Sequence, residues 1–270
     1  GTIAEHVLPI AHGDGANGKS TILGAMQGVL GSDYAMKALP GMLLSSGHDR
    51  HPTEVADLFR KRLVLAIESE AGRCLNESLI KELTGGDRIR ARKLYQDPWE
   101  FASTHKIIMA TNHKPRVIGR DNGIWRRLRL IPFLVSLPPE DQDPTIPERL
   151  IPEYPGILAW AVRGCLAWRE IGLNEPEAVR LATADYAEAE DVLGAFLAEC
   201  AMPYANGEEK SSEVYGRYKA WCEENNARAI PAQSFPEEMK RRGYSRVKNS
   251  VWFYAGLKLK RGWETTAKSA

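Results

Sequence analysis

Residues 13–20 read Gly-Asp-Gly-Ala-Asn-Gly-Lys-Ser, a complete G-x-x-x-x-G-K-S run. The apolar stretch Val7-Leu8-Pro9-Ile10-Ala11 precedes it, and Thr21-Ile22-Leu23-Gly24-Ala25-Met26 follows with helix-compatible spacing. Strand, glycine-rich loop and helix in that order predict a phosphate-binding loop at the start of an α/β sheet. In such a loop the backbone N–H groups close around phosphate oxygens, and the helix N-terminus adds its positive end. Gly13, Asp14, Gly15, Ala16, Asn17, Gly18, Lys19, Ser20 and Thr21 are the expected nucleotide-binding residues. Lys19 is expected to be exposed, to pair only with phosphate and to reach the β- and γ-phosphates, while Ser20 holds Mg²⁺.

The 270 residues are 43% hydrophobic and 26% charged, enough for a globular NTPase core and one small appended domain. No apolar run approaches the roughly 20 residues of a membrane span, and no signal peptide is visible. The chain lacks a starting Met and reaches its first strand almost at once, as expected of the C-terminal part of something longer. Cys74, Cys165, Cys200 and Cys222 lack C-x-x-C spacing, which fits a reducing, cytoplasmic setting and no cysteine-based zinc site. His48-Asp49-Arg50-His51 offers two histidines three apart without a third ligand in pattern. Net charge is only +1, yet residues 60–130 carry 16 Lys/Arg against 8 Asp/Glu, 131–200 carry 4 against 13, and 201–270 carry 13 against 8. Two basic blocks around an acidic one predict two polyanion-facing surfaces on a protein that is not basic overall.

Residues 1–137 alternate strand-like and helix-like runs, the pattern of a parallel sheet. Residues 63–67 and 106–111 are continuous apolar runs suited to buried strands, and 128–133 reads as a strand at an edge or end because of Pro132. Asn76 opens a capped helix that stops at Gly85-Gly86. Residues 138–204 form an acidic connector, rich in proline to Pro155, followed by helices over 156–171 and 175–197. Residues 205–270 give two more helices and a strand-like alternation of Val247, Val251, Phe253, Ala255, Leu257 and Leu259, the outline of a winged helix.

Glu68 and Glu70 follow the strand of residues 63–67. Acids there, beside a phosphate loop, suit the metal shell and the activation of water. Glu68 is assigned to the Mg²⁺ with Ser20, and Glu70 to the water, with the reverse left open. Two acids at i and i+2 share a face if the strand continues. Asn112, after the strand 106–111, can bond both phosphate and water, and Arg126 or Arg127 can reach the phosphate of a neighbouring subunit. Arg88, Arg90 and Arg92 alternate with Ile89 and Ala91, then Lys93 and a turn lead to Trp99-Glu100-Phe101. That is a hairpin with a basic tip, suited to a nucleic-acid backbone. Lys240, Arg241, Arg242, Arg246 and Lys248 form a second basic group, expected to prefer duplex DNA.

GDGANGKST, KRLVLAIESEAG, NESLIKELTGGDRIRAR, KIIMATNHKP and DNGIWRRLRLIPF occur in that order. Together they closely resemble the superfamily 3 helicase domain of phage and plasmid primase–helicases, the group that includes the satellite-phage and poxvirus primase–helicases. The resemblance spans residues 1–135, and SSEVYGRYKAWCEEN with FPEEMKRRGYSRV looks like the winged-helix C-terminal region of the same family. It implies an AAA+-like P-loop NTPase with a parallel sheet, using ATP and Mg²⁺ and forming hexameric rings around DNA. By the same resemblance Gly13, Gly18, Lys19 and Ser20 are the phosphate loop, and Glu68 and Glu70 the second acidic motif. Lys81, Gly86, Asp87 and Arg90 lie in a third motif ahead of a pore hairpin, Asn112 is the polar sensor, and Arg126 or Arg127 the arginine finger. Ser69 departs from branches that have adjacent acids, which leaves the roles of Glu68 and Glu70 open. The implied partners are single- and double-stranded DNA, further copies of the chain and other replication proteins, with no membrane, in a bacterial cell carrying a phage, prophage or plasmid. The expected function is an ATP-dependent DNA helicase motor. The alternative is a DNA-binding initiator that uses nucleotide as an assembly switch.

Overall fold

The structure, a computed structural model, describes residues 1–45, 53–118 and 122–260. It divides into two compact units at Glu190/Asp191. The first unit runs β1 (Leu8–His12), α1 (Lys19–Tyr34), β2 (Ala35–Lys37), α2 (Thr53–Ala56), β3 (Leu63–Glu68), α3 (Glu77–Gly85), β4 (Arg88–Ala91), β5 (Trp99–Ala102), β6 (Lys106–Thr111), α4 (Asn122–Trp125) and β7 (Leu128–Pro132). Then come α5 (Ile146–Arg149), α6 (Tyr154–Ile171) and α7 (Glu177–Ala189).

Five strands form one sheet in the order β2-β3-β6-β1-β7, and every pairing is parallel. Aliphatic residues on both faces make this possible, because a parallel sheet buries both sides. Val64 and Ala66 of β3 face a core with Leu8, Ile10, Ile107, Met109, Leu128 and Leu130. Leu63 and Leu65, one residue out of phase, face the other side with Leu23 and Ala110. Pro132 ends β7, an edge strand, where a missing N–H costs no ladder bond. Asn76 caps α3 by accepting from the Leu79 N–H at 3.1 Å, and Gly86, with φ +93°, ends it in the left-handed region. The α/β class and the parallel sheet agree with expectation.

The second unit holds α8 (Val192–Cys200), β8 (Ala201–Lys210), α9 (Ser211–Glu224), α10 (Phe235–Arg241), β9 (Arg246–Lys248) and β10 (Trp252–Leu259). Its sheet, in the order β8-β10-β9, is antiparallel. Leu193, Phe196, Val214, Tyr218, Phe235, Tyr254 and Leu257 make its core, with the Tyr218 and Phe235 rings 5.0 Å apart. The unit therefore starts before the boundary expected at 205, because α8 contributes Leu193 and Phe196 to that core. The helix expected over 175–197 is two helices. Asp191 breaks it and caps α8, accepting from the Gly194 N–H at 2.9 Å. The alternation expected over 247–259 also shifts. A bulge between Ala255 and Leu257, at Gly256 with φ +77°, puts Tyr254 and Leu257 on the core side together.

His105, just ahead of β6, is 1% exposed. Burial pushes its imidazole down to about 4. Above pH 6.5 both folded and unfolded chains are neutral at this site. Below it the unfolded chain takes up a proton that the folded chain refuses, so stability falls until about pH 4. The full loss over the window from the ordinary value to about 4 is about 3 kcal/mol. Urea unfolding midpoints are expected to drop across this range, and His105→Gln to flatten the drop by about one proton's worth of slope.

Candidate nucleotide and nucleic-acid site

Strand register builds the site. His12 of β1 pairs with Thr111 of β6, and Thr111 pairs with Glu68 of β3. Three adjacent parallel strands thus end in one row. Gly13, Asn112 and Ser69 are the next residues out, at the carboxyl edge where open parallel sheets bind ligands.

The loop from Gly13 is shaped by contacts that leave no room. A Cβ on Gly13 would lie 2.3 Å from the Phe133 carbonyl oxygen and 2.3 Å from Asn17 Nδ2. Gly18, with φ +80°, is the N-cap of α1 and offers no side-chain cap, and α1 has no acid in its first turn. The first amides of the helix therefore keep their donors for an anion. A strap of residues 133–137 fixes the loop from outside. The Phe133 N–H donates to the His12 carbonyl at 2.7 Å, and Asn17 Nδ2 to the Phe133 carbonyl at 3.3 Å. Ser136 Oγ donates to the Gly15 carbonyl at 3.2 Å, and the Leu137 N–H to the Ala16 carbonyl at 2.7 Å. No motif announces this strap.

Lys19 corrects the expectation of an exposed, unpaired amine. It is 6% exposed, and its Nζ donates to the Gly13 carbonyl at 2.6 Å and to Asn17 Oδ1 at 2.9 Å. Burial lowers its pKa from the ordinary lysine value, against an opposing pull from Asp14. Ser20 is exposed one residue on, and Thr21 is half-buried.

The two acids part company. Glu68 is the last residue of β3, 6% exposed, and its carboxylate accepts the Gly41 N–H at 2.9 and 3.1 Å. Glu70 lies beyond the strand, exposed and ion-paired to Arg73. The strand does not continue, so the shared face expected for the pair is absent. Asn112 is exposed directly after β6. Behind it, Thr111 Oγ1 donates to the His113 carbonyl at 2.7 Å and accepts the His113 N–H at 3.1 Å, a tight turn that fixes where Asn112 emerges. His12 has its pKa lowered chiefly by burial, then by Lys114, with Lys19 and His113 adding to the effect and Asp14 opposing it. Sequence reasoning left out His12 and Lys114. Lys114 and Lys19 thus disfavour a charge on His12, and Asp14 is the acid that opposes them there.

The donor set suits a magnesium nucleotide: a glycine-shaped cradle, the Ser20 hydroxyl and the Glu68 carboxylate at a strand end. Among the described residues no group of three His, Cys, Asp or Glu forms a self-sufficient metal cluster. The His48–His51 motif lies outside the described residues.

Arg126 and Arg127 are separated by their surroundings. Arg126 is exposed in the turn after α4. Arg127 is 7% exposed, and its Nε donates to Thr84 Oγ1 at 3.0 Å and its guanidinium to the Gly123 carbonyl at 2.6 Å. Arg127 is thus turned inward, which corrects it as a candidate finger.

β4 and β5 pair as an antiparallel hairpin with Arg90 opposite Glu100. Ile89, Ala91 and Phe101 enter the core, while Arg88 and Arg90 stand on the exposed side as expected. Arg88 is drawn to Glu100, donating to its carbonyl at 3.0 Å. Arg92 lies outside the strand, its Nε donating to the Gln96 carbonyl at 3.1 Å, and Lys93 is exposed beside it. Trp99 packs on Phe59, so Tyr95, 96% exposed, is the aromatic at the tip.

In the second unit the basic group is partly consumed. Arg242 is ion-paired to Asp191, and Arg241 lies 2.9 Å from Glu238 on its own helix. Arg242 is a correction, since it braces the α8 cap instead of facing solvent. Lys240, Arg246 and Lys248 are exposed.

Residues 11–127 match a family of unknown function (DUF5906). A protein of Acanthamoeba polyphaga mimivirus named "Putative helicase" is 26% identical over 253 residues, which is 86% of this chain and 26% of that protein. A Frog virus 3 protein of the same printed description is 24% identical over 282 residues, 96% of this chain and 28% of that one. An African swine fever virus protein named "Putative primase" is 30% identical over 129 residues, 47% of this chain and 13% of that one. The chain thus spans about a quarter or less of these relatives. The apo C-terminal region of NrS-1 superposes with a TM-score of 0.44 at 16% identity, over 56% of this chain and 35% of that one, too loosely to add to the strand order above. Among the described residues no helix is long and apolar enough to cross a membrane.

Arg127→Ala is expected to cost about 2–3 kcal/mol of stability, since it strands Thr84 and Gly123 without their charged donor. Arg126→Ala, in solvent, is expected to leave the urea midpoint within about 0.5 kcal/mol of the parent.

Proposed function

We propose that this chain is the motor part of an ATP-driven DNA helicase related to viral and phage primase–helicases. The alignment of Gly13, Ser69 and Asn112 along one sheet edge carries this reading. It lets one bound triphosphate touch the loop, the acids and the polar side chain at once. The first amides of α1 and Lys19 bind the phosphates, and Lys19 exchanges its Gly13 and Asn17 partners for them. Ser20 and Glu68 would hold Mg²⁺, which would supply charge neutralisation at the phosphates. Glu70 leaves Arg73 and accepts the proton of the attacking water, and Asn112 orients that water.

Arg126 serves the nucleotide of a neighbouring copy in a ring. A finger of this kind is worth about 10³–10⁵ in rate. The β4–β5 hairpin contacts the single-strand backbone through Arg90, Arg92 and Lys93, and Arg88 contributes less because Glu100 competes for it. The second unit acts as a winged-helix-like module. The names borne by the mimivirus and Frog virus 3 relatives support this reading, and it extends to whole-protein activity, partners and a replication setting as a proposal.

Lys19→Ala is expected to abolish ATP hydrolysis measured as phosphate release, and also to loosen the loop, because Lys19 bridges Gly13 and Asn17. Mixing it with Arg126→Ala is expected to restore part of the activity, each copy supplying what the other lacks. A rate linear in protein from the lowest concentration, with no rescue, points instead to a self-contained ATPase. Removing Arg92 and Lys93 together is expected to weaken binding to single-stranded DNA of every sequence alike and to lower the slope of log K against log salt by about 0.7 per lost contact.

A further inference from the structure

The β9–β10 ribbon carries an aromatic side chain that no part of the core uses. In its antiparallel register Trp252 pairs with Lys248, and Tyr254 pairs with Arg246, so all four side chains stand on one face. Tyr254 runs into the core of the second unit. Trp252, one pair farther out, is past the edge of that core and 43% exposed. The Arg246 guanidinium carbon lies 4.6 Å from the Trp252 ring centroid, and Lys248 Nζ lies 5.8 Å from it. The ring is thus held in place by its ribbon, with two cations over it and the rest of its surface open to solvent. Residues 239–263 contain no Asp or Glu, so this stretch brings no acid of its own to the ribbon. That sets Arg246 and Lys248 apart from Arg241 and Arg242, whose charge is met by Glu238 and Asp191.

We propose that Trp252, framed by Arg246 and Lys248, is a stacking platform for an unpaired base of single-stranded nucleic acid. An indole face accepts any base, and stacking is therefore tolerant of sequence. The two cations then take the phosphates on either side of that base, close enough to the ring to serve one nucleotide step. Bases inside a duplex are already stacked on their neighbours and offer no free face, so this ribbon selects unpaired strand. That differs from the duplex preference expected from the charges alone, because Trp252 was not part of that expectation. The inference rests on the nucleic-acid side of the proposed function and is independent of ATP hydrolysis.

The test uses the full chain without nucleotide, with labelled oligo-dT and a blunt, closed hairpin duplex followed by fluorescence anisotropy from about 50 to 200 mM salt. Trp252→Ala is expected to weaken oligo-dT binding about 5- to 100-fold, with the salt slope unchanged, because stacking releases no counterion. Trp252→Phe is expected to keep most of the affinity, which separates loss of the stack from loss of the fold. Arg246→Ala/Lys248→Ala is expected to lower the salt slope by about 1.4. Wild type that binds oligo-dT with Trp252→Ala unchanged overturns this inference and leaves the proposed motor standing. An equal loss for Trp252→Ala on the blunt duplex also overturns it, as does a Trp252→Phe chain that binds as weakly as Trp252→Ala. Lost hydrolysis in Lys19→Ala with these binding results intact tells the two proposals apart.

Discussion

The backbone ladder between β1 and β6 is the constraint on which the rest of the site depends. It carries no chemistry, yet the pairing of His12 with Thr111 decides which residues leave the sheet side by side. A slip of one residue would turn every side chain of β6 to the other face and carry Asn112 away from Gly13. The slip is blocked by packing, since Ile107 and Met109 fill the main core while Ala110 fills the smaller one. Apolar side chains far from the ligand edge thus set the geometry at that edge.

Much of this was legible along the chain, and the reasons are local. The phosphate loop is a contiguous motif whose glycines are demanded by backbone geometry, so its position and flanking elements could be read directly. Continuous aliphatic runs marked β3 and β6, and Asn76 with Gly85-Gly86 marked both ends of α3. The hairpin of β4 and β5 announced itself through strict alternation of arginine with Ile89 and Ala91.

What escaped depends on partners distant in sequence. Lys19 is identified by its motif, but its resting contacts come from a carbonyl six residues back and from Asn17. Arg126 and Arg127 are indistinguishable as neighbours in a string. Only the location of Thr84 and Gly123 separates the buried guanidinium from the free one. β8 was missed because Pro203, Asn206 and Gly207 break any alternation, although Gly207 is needed where a Cβ would lie 2.4 Å from the Leu257 carbonyl. The split of the long acidic region was missed because Asp191 reads as one more surface acid until its cap to Gly194 and its pairing with Arg242 are seen.

The inward turn of Arg127 has a mechanical consequence. Its guanidinium grips Gly123 in α4, just ahead of the turn that carries Arg126, while its Nε grips Thr84 in the last turn of α3. Thr84 is itself tied down, its hydroxyl donating to the Ile80 carbonyl at 2.6 Å and its carbonyl contacting His6 Nδ1 at 2.6 Å. From that turn the chain passes through Gly86 directly into β4 and the basic hairpin. One planar, stiff group therefore works as a tie rod between α4 and the root of the hairpin. A displacement at Gly123 is therefore felt at the root of β4 through side-chain hydrogen bonds, with no strand of the five-stranded sheet in the path.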